Sequence, residues 1–524
     1  MYAFRMKRLG FLRPILVFLG AAAFCAAFIP WNGFGDPDGF YHAKMAMLIW
    51  QHGPLKAFPW LDLTVFGKNF ADLHFLFHAI LAPFTAAFGM FNGARIGCVV
   101  LSGLFFAVFE VCLRRLKLRY SLVWTAILLT TAPFIFRILL AKATPLALLL
   151  FIAGLTAAWL RKPWLVFVFA GVFALSHSGW IYLAGSIALM ACGQLAYFKT
   201  VDDLSWRKSF DGSMWRETAA GYLGGLAGML VHPNFPDIFR LTWIQVFTIG
   251  LGTPFQHVVM GLEWQPADVK SLFTSYAAWI ILGLLGLAGM FLAPRKPLDR
   301  DKAQLTVSVG WILAVLFALT LKSRRNTEYL APIVALWCAS LWSLVDPKKL
   351  FADAKDSFKA YGQTAFLVLA WVMIILSVAY VAKETLVGWY GLRDGIIKDT
   401  AFRDSMSAIS KQAKPGDRVF HSSWDEFPML FAADDRLRYI AGLDPTFLYV
   451  ASSTLSDDVK NLTWGLTSST KEQAWELIHD RLDSKFVFVG KSKHEQFMKL
   501  IMSDPRYIQI ASSTESAAFR VENN

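Results

Sequence analysis

The sequence is short of charged residues and of the motifs that identify common enzyme classes. Only 17% of its 524 residues are Asp, Glu, Lys or Arg, below the roughly 25% of ordinary soluble domains. It has no P-loop, dinucleotide fingerprint, HExxH, GxSxG or CxxC motif, which disfavours a nucleotide-driven pump and a zinc protease. Its five cysteines all lie in apolar runs, so no disulfide framework is implied.

Apolar residues, in contrast, make up 56% of the chain, including 45 Phe and 20 Trp. They recur in runs of about 17 to 22 residues, long enough to cross a hydrocarbon core roughly 30 Å thick. The sequence therefore predicts a polytopic α-helical membrane protein with about eleven transmembrane helices. The predicted spans are 11–30, 93–113, 119–136, 143–160, 163–179, 181–198, 218–233, 272–293, 304–321, 329–346 and 363–383.

The formal net charge of +13 follows the predicted membrane topology. Basic clusters recur at alternate ends of the apolar runs, as at Arg114 and Arg115 or at Lys348 and Lys349. Such clusters mark the cytoplasmic side, so the excess charge does not indicate a nucleic-acid partner. We therefore predict an integral protein of the bacterial inner membrane, with a cytoplasmic N-terminus and a periplasmic C-terminal domain.

The predicted organisation has two parts. Residues 1–390 form a transmembrane domain with a long first external loop at 31–92, and residues 397–524 form a soluble external α/β domain. Within the C-terminal part, "DRVFHSS" and "SKFVFVGK" predict buried strands, and "YIQIASSTESAAFRVE" predicts a closing hairpin. Roughly 125 residues are enough to bury a separate core.

The segment "NGFGDPDGFYHAK" at 32–44 places two acids just after the first span. If the segment is extended, the side chains of Asp36 and Asp38 point the same way. They could act as a catalytic base or hold Mg²⁺ or Mn²⁺, which prefer oxygen ligands. His42, in the same segment, is predicted to bind the acceptor or the sugar. The alternative is structural, with Asp38 capping a helix that begins at Gly39.

Further candidates lie in the later external loops. Glu263, in "GLEWQPAD", is either a catalytic or metal-binding acid or a solvated loop acid. Arg324 and Arg325 lie on the external side, against the positive-inside bias, and Arg137 and Lys142 form a second external basic pair. An arginine fork matches a phosphate; interfacial snorkelling is the alternative.

His177 and Trp180 lie at the turn between the fifth and sixth predicted spans. Together they could contact a sugar or a lipid headgroup. A histidine satisfied by hydrogen bonds within the turn is an equally good interpretation.

Taken together, these motifs resemble those of the GT-C superfamily of polyprenyl-linked glycosyltransferases, and especially the oligosaccharyltransferase catalytic subunit. The family's first-loop acidic motif is similar to "GDPDGFYHAKMA", and its later external motif to "VVMGLEWQPAD", with Glu263 in the place of that motif's terminal Glu. Its donor-phosphate arginine segment is similar to "SRRNTEYLAPIVAL". Its acceptor-binding WWDYG segment resembles "VFHSSWDEFPMLF", with Trp424 and Asp425 in matching places.

The resemblance implies transfer of a sugar or glycan from a polyprenyl-phosphate or polyprenyl-diphosphate donor to a protein, lipid or glycan acceptor. The family's second acidic motif follows its third span, where this chain has "FRILLAKATPLALLL" and no acid. Metal-independent transfer with a carboxylate base therefore stands beside a metal site formed by Asp36, Asp38 and Glu263. The rival interpretations are a non-catalytic scaffold of a glycan assembly system and a transporter of lipid-linked sugars.

Overall fold

The computed structural model describes residues 2–252, 258–295, 297, 299–357, 363–466 and 469–522. These residues are mostly helical. The α-helices span Tyr2–Phe28, Asp38–His52, Phe75–Phe88, Met90–Arg115, Ser121–Leu129, Ala132–Ile138, Thr144–Trp159, Pro163–Ser176, Trp180–Thr200, Trp206–Gly212, Trp215–Leu230, Asp237–Trp243, Val269–Ser275, Ala277–Leu292, Arg300–Lys322, Thr327–Trp342, Pro347–Ser357, Gln363–Arg393, Arg403–Gln412, Phe427–Ala433, Thr446–Ala451, Ser453–Trp464, Lys471–Trp475 and Glu495–Met502.

The chain divides into two compact units. The helical unit comprises Met1–Ile29, Cys98–Gly228 and Glu263–Asp394. The sheet-containing unit comprises Pro30–Gly97, Met229–Leu262 and Gly395–Asn524. It therefore combines the C-terminal region with the whole of the predicted first external loop, 31–92, and part of the next predicted external loop. The predicted domain limits of 1–390 and 397–524 stay predictions.

Several helices are long and apolar enough to cross a membrane. Within the described residues four meet this test alone, and two bent pairs raise the number to six if each pair is one span. The four are Met90–Arg115, Trp180–Thr200, Arg300–Lys322 and Trp371–Arg393. Shorter apolar helices include Thr144–Trp159 and Pro163–Ser176. The prediction of a mostly helical membrane protein is confirmed, whereas the predicted count of about eleven spans stays a prediction.

The predicted span 119–136 is not one straight helix. Its two halves, Ser121–Leu129 and Ala132–Ile138, meet at 76°. Pro133 lies at the start of the second half, where its missing N–H and fixed φ favour the beginning of a new helix. The indole N–H of Trp279 donates to the hydroxyl of Thr131 at 3.0 Å and so fixes the bend. The break matters because the second half carries Arg137 in its last turn.

Glycines let two helices of the helical unit approach closely. A Cβ atom added at Gly228 would meet the backbone of Gly171 on helix Pro163–Ser176. Small residues at such crossings are typical of helix pairs in membranes, where packing must substitute for the hydrophobic effect.

The sheet-containing unit holds all seven strands found among the described residues. A five-stranded sheet has the order β4-β3-β5-β7-β6, with parallel pairing of β3 to its two neighbours and antiparallel pairing elsewhere. β1 pairs with β2 in a separate antiparallel ladder. The strands are β1 Gly33–Phe34, β2 Ile397–Lys398, β3 Arg418–His421, β4 Arg438–Tyr439, β5 Ser484–Gly490, β6 Tyr507–Ser512 and β7 Ser516–Val521.

Both predicted buried strands are confirmed, as β3 and β5, and the predicted hairpin is β6 with β7. Phe420, Val487 and Val489 from these strands are buried in one core with Ile478 and Ile501. The sequence shows the strands clearly because a central strand covered on both faces is apolar at nearly every position.

Candidate functional site

The acidic motif at 32–44, in the predicted first external loop, is anchored at its N-terminal end. The buried Arg95 donates from Nε to the carbonyl of Gly33 in β1 at 3.2 Å and pairs with Asp399, just after β2. Its guanidinium lies 4.4 Å from the ring centroid of Phe34. A buried arginine is stable only when its charge is paired. This contact therefore fixes the backbone that leads into Asp36.

Asp36 and Asp38 occupy the start of helix Asp38–His52. The Oδ1 atom of Asp36 accepts from the backbone N–H of Asp38 at 2.9 Å. The helix thus begins one residue earlier than expected, with Pro37 in the N-cap position, so Asp38 is its first residue and not its cap. Both carboxylates lie near the N-terminus of this helix, where the helix dipole is positive. Further along the helix the buried Lys44 pairs with Asp435 at 3.2 Å.

A chain of hydrogen bonds, here called the histidine chain, joins Asp72, His78 and His42. The Nδ1 atom of His78 lies 2.7 Å from Oδ2 of Asp72, and its Nε2 atom lies 2.7 Å from Nδ1 of His42. Because an ionised carboxylate only accepts, neutral His78 carries its proton on Nδ1 and accepts at Nε2. His42 then donates from Nδ1, and its Nε2 is the acceptor nitrogen.

The three side chains of the histidine chain are buried. Burial alone would raise the pKa of Asp72, but its interactions with His78 and His74 outweigh burial and lower the pKa. One of these interactions is the backbone N–H of His74, which donates to Oδ1 of Asp72 at 3.0 Å. The carboxylate is therefore ionised near neutral pH and holds the imidazole of His78 in one tautomer.

The predicted basic residues and Glu263 come together in the helical unit, in what is here called the ion cluster. Arg137 Nη1 lies 2.9 Å from Glu263 Oε2, and Lys142 Nζ lies 3.6 Å from the same oxygen. Arg325 Nη1 lies 3.2 Å from Oε1. The cluster also includes Glu328, whose Oε2 accepts from Arg137 Nη2 at 3.1 Å. Three cations from two stretches of the chain, 137–142 and the turn at Arg325, thus meet around one carboxylate.

The charges of the ion cluster are strongly coupled. Burial would raise the pKa of Glu263, but the positive charges of Lys142, Arg325 and Arg137 outweigh burial and hold the pKa well below its usual range. Burial would lower the pKa of Arg325, and the charges of Glu263 and Glu328 raise it instead. The guanidinium of Arg325 also stacks 4.8 Å from the ring centroid of Trp264.

The other predicted residues of the helical unit have mainly structural contacts. Arg324 donates from Nε to the carbonyl of Pro266 at 3.1 Å. His177 follows the end of helix Pro163–Ser176, and its Nδ1 accepts from the backbone N–H of Gly179 at 2.7 Å, which is the geometry of a satisfied turn histidine. Trp180 begins the next helix with its side chain buried.

Trp424 lines a cleft of the sheet-containing unit. Its indole N–H donates to the carbonyl of Val259 at 3.0 Å, and the cleft encloses an empty volume of ≈ 460 Å³. Asp425 pairs with Lys493 at 3.0 Å. Residues that line the cleft include Val259, His421, Ser423, Trp424, Lys460 and Trp464.

A divalent metal finds no ready ligand set in the described part of the chain. Within residues 2–252, 258–295, 297, 299–357, 363–466 and 469–522, no group of three or more His, Cys, Asp or Glu side chains is arranged to hold an ion. The acids of Asp36, Asp38 and Glu263 do not form such a group. A site for Mg²⁺ or Mn²⁺ stays a prediction, and no step below is assigned to a metal.

No site role was predicted from the sequence for Asp72, His78 or Glu328. The stretch "DLHFLFH" contains a local signal for His78, since His74 and His78 lie four residues apart, a spacing that suits one face of a helix. Glu328 follows directly on the arginine segment, but its partner Arg137 lies 191 residues away. No local pattern identifies a partner at that separation.

Comparison with solved structures shows a GT-C fold that resembles oligosaccharyltransferase. No protein-family model matches the sequence, and no curated protein matches it significantly. The likeness lies in the tertiary structure.

Three solved structures illustrate it. The oligosaccharyltransferase of Archaeoglobus fulgidus in its apo form has a TM-score of 0.62 at 12% identity, covering 98% of this chain and 74% of that one. ArnT from Cupriavidus metallidurans, bound to undecaprenyl phosphate, has a TM-score of 0.51 at 13% identity, covering 97% and 98%. The arabinofuranosyltransferase AftD from Mycobacteria has a TM-score of 0.54 at 12% identity, covering 98% and 40%. At these identities the likeness establishes the fold.

Proposed function

We propose that this protein is a membrane glycosyltransferase. It moves a sugar or glycan from a polyprenyl-phosphate or polyprenyl-diphosphate donor to a protein, lipid or glycan acceptor on the external face of the membrane. The observation that carries the proposal is the ion cluster, in which Arg137, Lys142 and Arg325 converge on an anion within a GT-C fold.

The chemistry of a lipid phosphate supports this assignment. Guanidinium groups recognise phosphate oxygens through paired N–H donors, and lysine adds a compact positive charge. Two of the similar structures contain such lipids: the Archaeoglobus fulgidus enzyme AglB is in complex with a dolichol-phosphate, and ArnT is bound to undecaprenyl phosphate. We assign the ion cluster, with Arg324 nearby in sequence, to the donor phosphate.

The transfer follows an inverting displacement. Asp36 or Asp38 takes the proton from the acceptor's nucleophilic group, which forms a bond to the anomeric carbon of the sugar as the bond from that carbon to the phosphate oxygen breaks. The electron pair of the broken bond stays on the lipid phosphate. The cations of the ion cluster stabilise the negative charge that develops there.

The remaining assignments concern topology and the acceptor. The chain crosses a bacterial inner membrane about eleven times, with the N-terminus in the cytoplasm and the C-terminal region in the periplasm. The cleft lined by Trp424 contributes to acceptor binding, because an aromatic face and flanking polar groups suit a sugar or a peptide. Asp425, His42, His177 and Trp180 are assigned to the acceptor or the sugar.

The test replaces both acids of the first loop. A double variant, Asp36→Asn with Asp38→Asn, is expressed in cells that lack their own copy, and the glycan product is measured. Loss of a general base is expected to reduce product formation by about 10²–10⁴-fold. Normal product would overturn the proposal in favour of a scaffold. Transport of a labelled lipid-linked sugar into liposomes without transfer would favour the transporter.

Asp268→Asn is the matched control. Its carboxylate caps helix Val269–Ser275 by accepting from the backbone N–H of Ser271 at 2.6 Å. The change removes a more exposed acid that belongs to neither the acidic motif nor the ion cluster, so the yield of glycan is expected to stay normal. Membrane levels of both variants are measured so that a loss of product is not a loss of protein.

A further inference from the structure

The carboxylate of Glu263 lies where an anionic ligand would lie. Oε2 contacts Arg137 at 2.9 Å and Lys142 at 3.6 Å, and Oε1 contacts Arg325 at 3.2 Å. A carboxylate and a phosphate present similar oxygen pairs to a guanidinium fork. The chain therefore supplies one of its own anions to the cations that the proposed function assigns to the donor.

The backbone around Glu263 is held independently of that carboxylate. Its carbonyl accepts from the hydroxyl of Ser323 at 3.1 Å, and the backbone N–H of Arg324 donates to the carbonyl of Gln265 at 3.0 Å. A change of side-chain rotamer can therefore move the carboxylate away while the loop keeps its place.

The two carboxylates of the ion cluster differ in how easily they could leave. The side chain of Glu328 is 3% exposed and also accepts from the hydroxyl of Thr144 at 3.3 Å. The side chain of Glu263 is 22% exposed. The carboxylate of Glu263 can therefore move into solvent. The carboxylate of Glu328 has no such access, and moving it would leave an unpaired charge in a buried site. Glu263 is the displaceable anion of the pair.

We propose that Glu263 is an internal substitute for the donor's phosphate, and that donor binding exchanges one anion for the other. This inference rests on the proposed function and gives Glu263 a role different from the catalytic or metal-binding one predicted from sequence. Removing an anion from buried cations is costly unless another replaces it. The exchange keeps the cations paired before donor binding and after the lipid phosphate has left. It also selects for ligands with an anionic headgroup.

The experiment measures binding of undecaprenyl phosphate to the purified full-length protein in lipid nanodiscs. Glu263→Gln removes the competing charge and keeps the shape of the side chain, so affinity is expected to rise at least tenfold, which corresponds to about 1.4 kcal/mol. Glu263→Asp keeps the charge but reaches fewer cations, and an increase of about threefold is expected. Asp268→Asn is the control and is expected to bind like the wild type.

Equal or weaker binding by both Glu263 variants, while the wild type binds, would overturn the exchange and leave the proposed function standing. If Glu263→Gln does not fold, the Glu263→Asp result decides in the same way. Binding by the wild type that Arg325→Ala does not weaken, or no binding at all, would instead refute the assignment of the ion cluster to the donor and with it the exchange.

Discussion

The ion cluster and the histidine chain both centre on a carboxylate with a lowered pKa, yet they are built for different tasks. Two arginines and one lysine surround the carboxylate of Glu263, and its side chain is 22% exposed. Asp72 is buried and is held by an imidazole and a backbone N–H. The first arrangement can exchange one anion for another. The second has no such access to solvent and instead fixes where protons reside.

The difference follows from the chemistry of the partners. Arginine and lysine remain charged at every physiological pH, so a site made from them needs an anion at all times. Histidine is neutral or charged near pH 7 and its two nitrogens have opposite roles when neutral. In the histidine chain, the carboxylate of Asp72 therefore sets the tautomer of His78, and His78 sets that of His42. His42 lies close to Asp36 and Asp38 in sequence.

Breaking the ion cluster at Arg137 is expected to have the largest effect. Arg137→Ala removes one of three cations around Glu263 and an ion-pair partner of the buried Glu328. Breaking a buried ion pair by removing one partner costs about 3–5 kcal/mol. Thermal unfolding of the purified protein measures the loss. Arg324→Ala, whose side chain donates to a backbone carbonyl at a more exposed position, is the control. Equal melting temperatures for the two variants would contradict a stabilising ion cluster.

Breaking the histidine chain is expected to have a smaller effect. Asp72→Asn replaces a charge-assisted hydrogen bond to His78 by a weaker neutral one, and a loss of about 1–3 kcal/mol follows from the poorer pairing of buried groups. Nitrogen-15 NMR of labelled histidine is expected to show His78 protonated on Nδ1 in the wild type and a mixed tautomer in the variant.

Asp237→Asn serves as the control for the histidine chain, because its carboxylate accepts from the side chain of Asn69 and contacts none of the three residues. Its histidine spectrum is expected to match that of the wild type. A single tautomer that persists in Asp72→Asn would contradict the hydrogen-bond order described here.

The smallest expected effect is a change in how the protein's stability depends on pH in the acid range. The folded-state pKa of Glu263 is well below its usual range, so its stabilising contribution is complete above the unfolded-state value of about 4.3 and is lost as the pH falls through the folded-state pKa. Wild-type protein is therefore expected to lose stability on acidification below about pH 5. Glu263→Gln should flatten this slope, and an unchanged slope would assign it to other carboxylates.

Much of the fold can be predicted from sequence because it depends on local patterns. The apolar runs predict the helices, and the apolar segments around Phe420 and Val487 predict central strands. The break between Ser121–Leu129 and Ala132–Ile138 escaped prediction although Pro133 gives a local signal for it. A proline within an apolar run fits both a kinked continuous span and a new helix, and the contact of Trp279 with Thr131 favours the second.

For the candidate site, sequence alone determined which residues carry charge in unusual places: Asp36 and Asp38 after the first predicted span, and Arg137, Lys142, Glu263 and Arg325 in predicted external loops. Only the tertiary structure decided which of them are partners. Arg137 and Glu263 are 126 residues apart, and His42 and His78 are 36 apart. Hydrophobic periodicity reports the preference of each short segment for water or for a core. Ion pairs and tautomers depend on which segments the folded chain brings within a few ångströms.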